Sequence, residues 1–347
     1  MKKTIMASAL STVLLLGACS GDETAEPETD QQGEETQNGE KSKESNKNKE
    51  ENQKQNTESF TLPAESDFYK EASDKQVEHI HGIGYAGGKD AVFAASHEGL
   101  IAYQDGKWYE TKEENHDYMG FQAVDSGFFA SGHPESGSDL KNPLGLVKSE
   151  NGGKSFEKQA FYGETDFHHM TAGYNNHMIY VVNQQPNSEL QSGVYYSENE
   201  GENWKESKIE GFPAKPVALY AHPQENNKVA VAAADGIYLS DDYADTFKKV
   251  TESFPATAMA FKPEGGFIAA TLRDEKAGLA VYSKESEKQK DIALPDISDD
   301  VIYYVAVSPE NPEEFVISTE QNNMYQTKDA GENWTQLMDA GELLTSE

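Results

Sequence analysis

From about residue 80 the chain sets short apolar runs between short polar turns, and the runs come in pairs. The pairs are 83–85 with 92–95, 121–124 with 128–130, 171–174 with 179–182, 217–220 with 229–232, 258–261 with 267–270, and 301–307 with 315–317. Runs of this length, bounded by Gly, Asn, Asp and Ser, read as strands, and no competing stretch has the period of a long amphipathic helix. After each pair comes a third strand-like segment and a turn, clearest in Gly193-Val-Tyr-Tyr-Ser-Glu-Asn-Glu-Gly-Glu-Asn-Trp204. Its core, Ser197-x-Asn199-x-Gly201-x-Asn203-Trp204, returns as Ser149-x-Asn151-x-Gly153-x-Ser155-Phe156, Ser240-x-Asp242-x-Ala244-x-Thr246-Phe247 and Thr327-x-Asp329-x-Gly331-x-Asn333-Trp334. The period is about 43 residues. One double-length gap contains an eroded copy, Gly278-Leu-Ala-Val-Tyr-Ser283, and a shortened copy, Gly99 to Trp108, opens the series. Six units of four strands predict an all-β fold, a six-bladed β-propeller with four antiparallel strands per blade. Each blade can bury its faces only against its neighbours, so the six must close into a ring, with 59–62 expected to help seal it. A seventh blade would have to come from 58–77, which is too short.

The residue types in the repeat have a mechanical reason. Ser or Thr and Asp or Asn can fold back onto turn amides, and Gly takes the positive φ that a tight hairpin needs. The closing Trp or Phe then packs against the neighbouring unit. The pattern resembles the Asp-box, or BNR, repeat of sialidases, sortilin-like proteins and related propellers, among them lipoproteins labelled glycosyl hydrolases. The resemblance covers about 280 residues and implies that the boxes are structural hairpins, not active sites.

The N-terminus adds a location. Lys2-Lys3, an apolar stretch over 5–16, and Leu16-Gly17-Ala18-Cys19 match a lipoprotein signal with its lipobox, so 1–19 is expected to be a signal ending at a lipidated Cys19. Cys19 is the single cysteine, which excludes an intramolecular disulfide. Residues 20–58 are rich in Glu, Gln, Asn, Lys and Ser with almost no apolar residue, the composition of a disordered spacer. The expected product is a propeller over 59–347, held on the outer side of the cell membrane by acyl chains in the lipid bilayer. A formal net charge of -32 argues against nucleic acid as a partner and favours cations or neutral polymers. The same acidity also suits a salty habitat.

Propeller geometry sorts the loops between two faces. The boxes occupy one. The starts of the innermost strands and the links between second and third strands occupy the other, and two of those links, 131–144 and 183–192, are long. Six of the nine histidines fall on this second face, all in blades 1 to 3. His79 and His81 open the inner strand of blade 1, and the alternation of a strand aims both the same way. His168 and His169 open that of blade 3, while His97 and His133 end the second strands of blades 1 and 2. Met119 and Met170 accompany them. Imidazole suits copper and zinc, and added thioether biases the set toward copper, so these eight residues are the candidate ligands of a transition metal ion. Two other readings stay open: histidines lining a wet channel, and donors or an acid and base in a glycan or small-molecule pocket. His116, His177 and His222 are expected at the surface or in turns.

An enzyme is not specified. Sialidases clamp a carboxylate with three arginines, and this chain has one, Arg273. Glycoside hydrolysis by paired carboxylates would have Glu98, Asp117, Glu135 and Asp166 to draw on. Nothing matches a Gly-x-Ser-x-Gly elbow, a phosphate loop or His-Glu-x-x-His. The functional alternatives are a ligand- or metal-binding propeller face, a glycosyl hydrolase-like protein, and a scaffold that docks an envelope protein.

Overall fold

A computed structural model of the chain describes residues 60–345 apart from 74, 298 and 299. The expected signal, Cys19 and the 20–58 spacer lie outside the described residues. Six antiparallel sheets follow one another along the chain, four of four strands and two of five. The innermost strands are Ile80–Gly84, Asp117–Val124, Met170–Ala172, Pro216–Ala221, Ala256–Phe261 and Ile302–Val307. Each packs against the next and the sixth against the first, which closes the ring. The fold is the six-bladed propeller expected from the repeat.

Burial follows position in the blade. Second strands such as Val229–Ala233 and Phe315–Thr319 are buried at every residue because neighbouring blades cover both faces, and only the far ends of Gly127–His133 and Phe267–Arg273 emerge. The fourth strands carry the polar load, as in the mostly exposed Lys288–Ile292. Between blades the apolar side chains merge into shared layers. Ile83, Val92 and Trp108 of blade 1 pack with Val316, Met324 and Leu337 of blade 6.

The seam between first and last blades is closed without a shared strand. Val77 N–H donates to the Gly341 carbonyl at 2.9 Å, and the Trp108 indole N–H donates to the Leu337 carbonyl at 2.9 Å. Tyr69–Ala72 adds a fifth, outermost strand to blade 1 by pairing with Lys107–Thr111. The segment before it does less than expected. Phe60 packs edge-on against Phe93 at 5.5 Å, within the layer shared by blades 1 and 2, and does not bridge the seam.

The box turns satisfy their own polar groups. Ser197 Oγ accepts from Gly201 N–H at 2.8 Å, and Asn199 Oδ1 accepts from Asn203 N–H at 3.0 Å. The same pair of bonds recurs through Ser149 and Asn151, Ser240 and Asp242, and Thr327 and Asp329. Even the eroded copy keeps Ser283 Oγ accepting from two turn amides. Gly331 has φ +86, and a Cβ there would run into the Ile292 side chain, so the box glycine is fixed by both backbone and space. Trp204 packs on Phe161 and Phe167, and the Trp334 indole N–H donates to the Ala293 carbonyl. The closing aromatic does reach the preceding unit.

Candidate metal centre at the channel mouth

A shared irregularity shapes the mouth. In five of the six inner strands the pairing slips by one residue near the strand start, at His81, Met119, Val217, Thr257 and Tyr303. A bulged residue is unpaired and its side chain is re-aimed. In blade 3 the His169 carbonyl accepts from Val182 N–H at 2.9 Å, the place held by Gly120 and Ala218 in their blades, so His168 stands at the matching step. The bulge positions therefore make a ring that is imidazole and thioether in blades 1 to 3 and Val, Thr and Tyr in blades 4 to 6. Val217 and Tyr303 are the exposed large apolar side chains of the described residues.

Around His81 the histidines of blade 1 gather. His81 Nε2 lies 3.3 Å from His97 Nδ1, and His97 Nδ1 lies 3.0 Å from Asp117 Oδ1 of blade 2. His81 Nε2 to Asp117 Oδ1 is 3.9 Å. One ligand atom from each of the three comes within 4.8 Å of the others, the one such group among the described residues. The His79 ring stands 5.3 Å from that of His97, edge to face, and 6.5 Å from that of His81. Burial, helped by His97 and opposed by Asp117, pushes the His81 imidazole down to about 4. At neutral pH His81 keeps both a lone pair and no charge, the state a metal requires of an imidazole.

A second group lies across the junction of blades 2 and 3. His133 Nε2 and His168 Nδ1 stand 3.3 and 3.1 Å from Asp166 Oδ2. His133 Nδ1 faces Asn142 Oδ1 at 2.7 Å. Burial pushes the Asp166 carboxyl up, against the pull of His168 and His133. His169 is half-buried and its imidazole is lowered, again chiefly by burial.

The other expected residues separate. Met170 is buried in the layer between blades 2 and 3 and packs closely on Gly120, so its thioether fills core and not the mouth. Met119 stays at the bulge, half-buried. Glu98 is largely exposed and pairs with Lys75 at 3.7 Å. Glu135 accepts from Asn115 N–H at 3.2 Å. Asp117 and Asp166 are the two carboxylates held among imidazoles.

The three remaining histidines lie in the connections between strands, as expected, but each is engaged there. His116 is buried: its Nδ1 accepts from Glu135 N–H at 3.0 Å, so its Nε2–H donates to Glu114 at 2.8 Å. His222 is buried as well and its Nδ1 accepts from the amides of Gln224 and Glu225. His177 joins Glu200 at 2.6 Å and Asp125 at 2.7 Å. Glu114, Gln224 and Glu225 are local partners two or three residues away, while Glu135, Asp125 and Glu200 come from other turns.

Comparison with known proteins agrees on architecture. Residues 145–296 match the Sortilin-Vps10 family model, described as sortilin, neurotensin receptor 3. No curated protein matches. Among solved structures, the GH74 xyloglucanase from Xanthomonas campestris is similar at 12% identity and TM-score 0.50, over 78% of this chain and 46% of that one. The GH74 enzyme from Niastella koreensis gives 12% and 0.51, over 78% and 47%. A chain described as YCF48 bound to D1 peptide gives 12% and 0.46, over 82% and 90%. The fold is that of a propeller family. The chain spans about half the length of the two GH74 enzymes.

Proposed function

We propose that this protein is a lipid-anchored extracytoplasmic propeller that binds a divalent transition metal ion, zinc or copper(II), at its channel mouth through His81, His97 and Asp117. The observation that carries the reading is the spacing of those three ligand atoms, 3.3, 3.0 and 3.9 Å. An ion with bonds of about 2.0–2.1 Å in a tetrahedral arrangement holds its ligands about 3.3 Å apart. The side chains already stand at that separation, so binding requires little rearrangement. His79 is the nearest further imidazole, and a fourth position is left for water or a ligand of the mouth. Thioether no longer argues for copper(I), because Met170 belongs to the core and Met119 alone remains. The net charge of -32 raises the local concentration of any cation.

The test is metal affinity of the full chain, purified in detergent, for wild type, His97→Ala and Asp117→Asn. Wild type should bind zinc in competition with a chelating indicator. Each variant should weaken it by more than the roughly 10–100-fold that loss of a supporting partner alone costs. Equal weak affinity in all three would sink the reading. The anchor has its own check, since intact mass should show acyl chains on Cys19 after removal of 1–18. A Cys19→Ser chain that remains membrane-bound would exclude it.

Glycoside hydrolysis receives less support. Of the four candidate carboxylates, Glu98 and Glu135 are engaged with Lys75 and Asn115, and the other two with imidazoles. A propeller fold shared with GH74 enzymes at 12% identity speaks to architecture alone.

A further inference from the structure

Asp166 is held in an unusual way. It precedes the buried Phe167, whose N–H is fixed by Ser131 Oγ at 2.8 Å, so the carboxylate is presented by a rigid piece of backbone. Both of its oxygens are shielded from solvent, and among the described residues only the Ser131 hydroxyl, besides the imidazoles of His133 and His168, is near enough to favour the charged form. A carboxylate shielded from water in this way is disfavoured in its charged form unless something compensates it. A proton on the carboxyl or a positive charge beside it relieves that cost. The groups that approach are His133 Nε2 at 3.3 Å and His168 Nδ1 at 3.1 Å, both on the same oxygen, Oδ2. Asn142 braces His133 from its other nitrogen.

Two sources of that charge are chemically possible: protons on the imidazoles, or a cation shared by all three groups. Each nitrogen stands off the oxygen by about the 3.3 Å that separates neighbouring ligands of a tetrahedral ion with bonds near 2.0–2.1 Å. The set, two imidazoles and one carboxylate, repeats the donor chemistry of His81, His97 and Asp117 one blade further round.

We infer that the mouth carries a second divalent-cation site, formed by His133, Asp166 and His168 and separate from the one at His81, His97 and Asp117. This rests on reading the mouth as a place that binds metal. The second site is the looser of the two. Its three ligand atoms do not all come within the 4.8 Å that encloses the first set, and the His133 and His168 side chains are 40% and 45% exposed. Those rings can swing toward an ion at a cost in ordering, so its affinity is lower.

Zinc stoichiometry of the full chain in detergent, by equilibrium dialysis and elemental analysis, tests this. Wild type should take up two zinc ions in steps at least tenfold apart in affinity. Asp166→Asn and His168→Gln should each take up one, at the tighter affinity, and His97→Ala should take up one, at the weaker. The pair of variants guards against one that fails to fold, which circular dichroism would reveal. One zinc in wild type, unchanged in Asp166→Asn and lost in His97→Ala, would overturn the second site and leave the first intact. No zinc in wild type would overturn both. Loss of both ions together in His97→Ala would mean one joint centre and overturn the separation.

Discussion

His177 and His81 are both partly buried histidines at junctions between blades, yet their surroundings drive them in opposite directions. His177 lies between Glu200 at 2.6 Å and Asp125 at 2.7 Å, and its hydrogen bond to Glu200 leads in raising its imidazole above the usual range, with burial and Lys148 pulling back. Lys148 itself reaches Glu150 and Glu200, so charges of both signs close on one another. His81 faces the imidazoles of His97, His79 and His168 and a single carboxylate, and burial followed by His97 pushes it down. Where carboxylates outnumber imidazoles, histidine becomes a cationic clamp. Where imidazoles outnumber carboxylates, histidines keep their lone pairs. The first arrangement is complete in itself, and the second is the one proposed above to take a metal ion.

The larger effect of this contrast on stability should appear in acid. A histidine lowered to about 4 in the fold, against about 6.5 unfolded, binds fewer protons folded than unfolded between those values. Stability from His81 is therefore full above about pH 6.5 and is lost as the pH falls toward 4. His169 and His222, both lowered by burial, add to the same limb. Chemical denaturation of chelator-treated protein should show stability falling from pH 6.5 to 4, and His81→Asn should flatten part of that fall while leaving the curve above 6.5 unchanged. An identical acid limb in the variant would mean that His81 is not held neutral by its neighbours, and the contrast with His177 would collapse.

Much of the architecture was legible because the box is local chemistry. Ser197, Asn199 and Gly201 bond within five residues of one another, so the sequence that encodes the turn is contiguous, and even Ser283 betrays its blade after its partners have changed. The mouth was legible only in part. Strict alternation placed His79 and His81 together, but the pairing slip at His81 depends on how Ile80 and Gly82 register with Ser96 and Ala95, which no single strand reveals. The same one-residue geometry misled the reading of Met170. It follows His169 directly in sequence, yet the backbone turns it into the core beside Phe167. Asp117 and Asp166 stood out as carboxylates on the right face, but a partnership with imidazoles from a neighbouring blade is a property of the closed ring. His116 and His222 have local hydrogen-bond partners, and what stayed hidden is the packing against Phe156 and Phe261 that buries them.

The smaller effect lies on the alkaline side and belongs to His177. Its imidazole is raised in the fold, so the folded state holds a proton that the unfolded state releases above about pH 6.5. The stability it contributes is fully present below pH 6.5 and is lost as the pH climbs through the raised folded value. Glu200, lowered first by the hydrogen bond from His177, gives the matching contribution that persists above the ordinary carboxylate range and is lost in stronger acid. Wild type should thus lose stability gently on going from pH 6.5 into the mildly alkaline range. In His177→Gln the loss should vanish, since glutamine can still bond to one of the carboxylates but carries no titrating charge. Zinc binding should be the same in that variant as in wild type, because His177 is no part of the proposed metal set. A slope that survives the substitution would place the titrating group elsewhere, while a change in zinc affinity would show that clamp and mouth are coupled, which the opposition drawn between His177 and His81 does not allow.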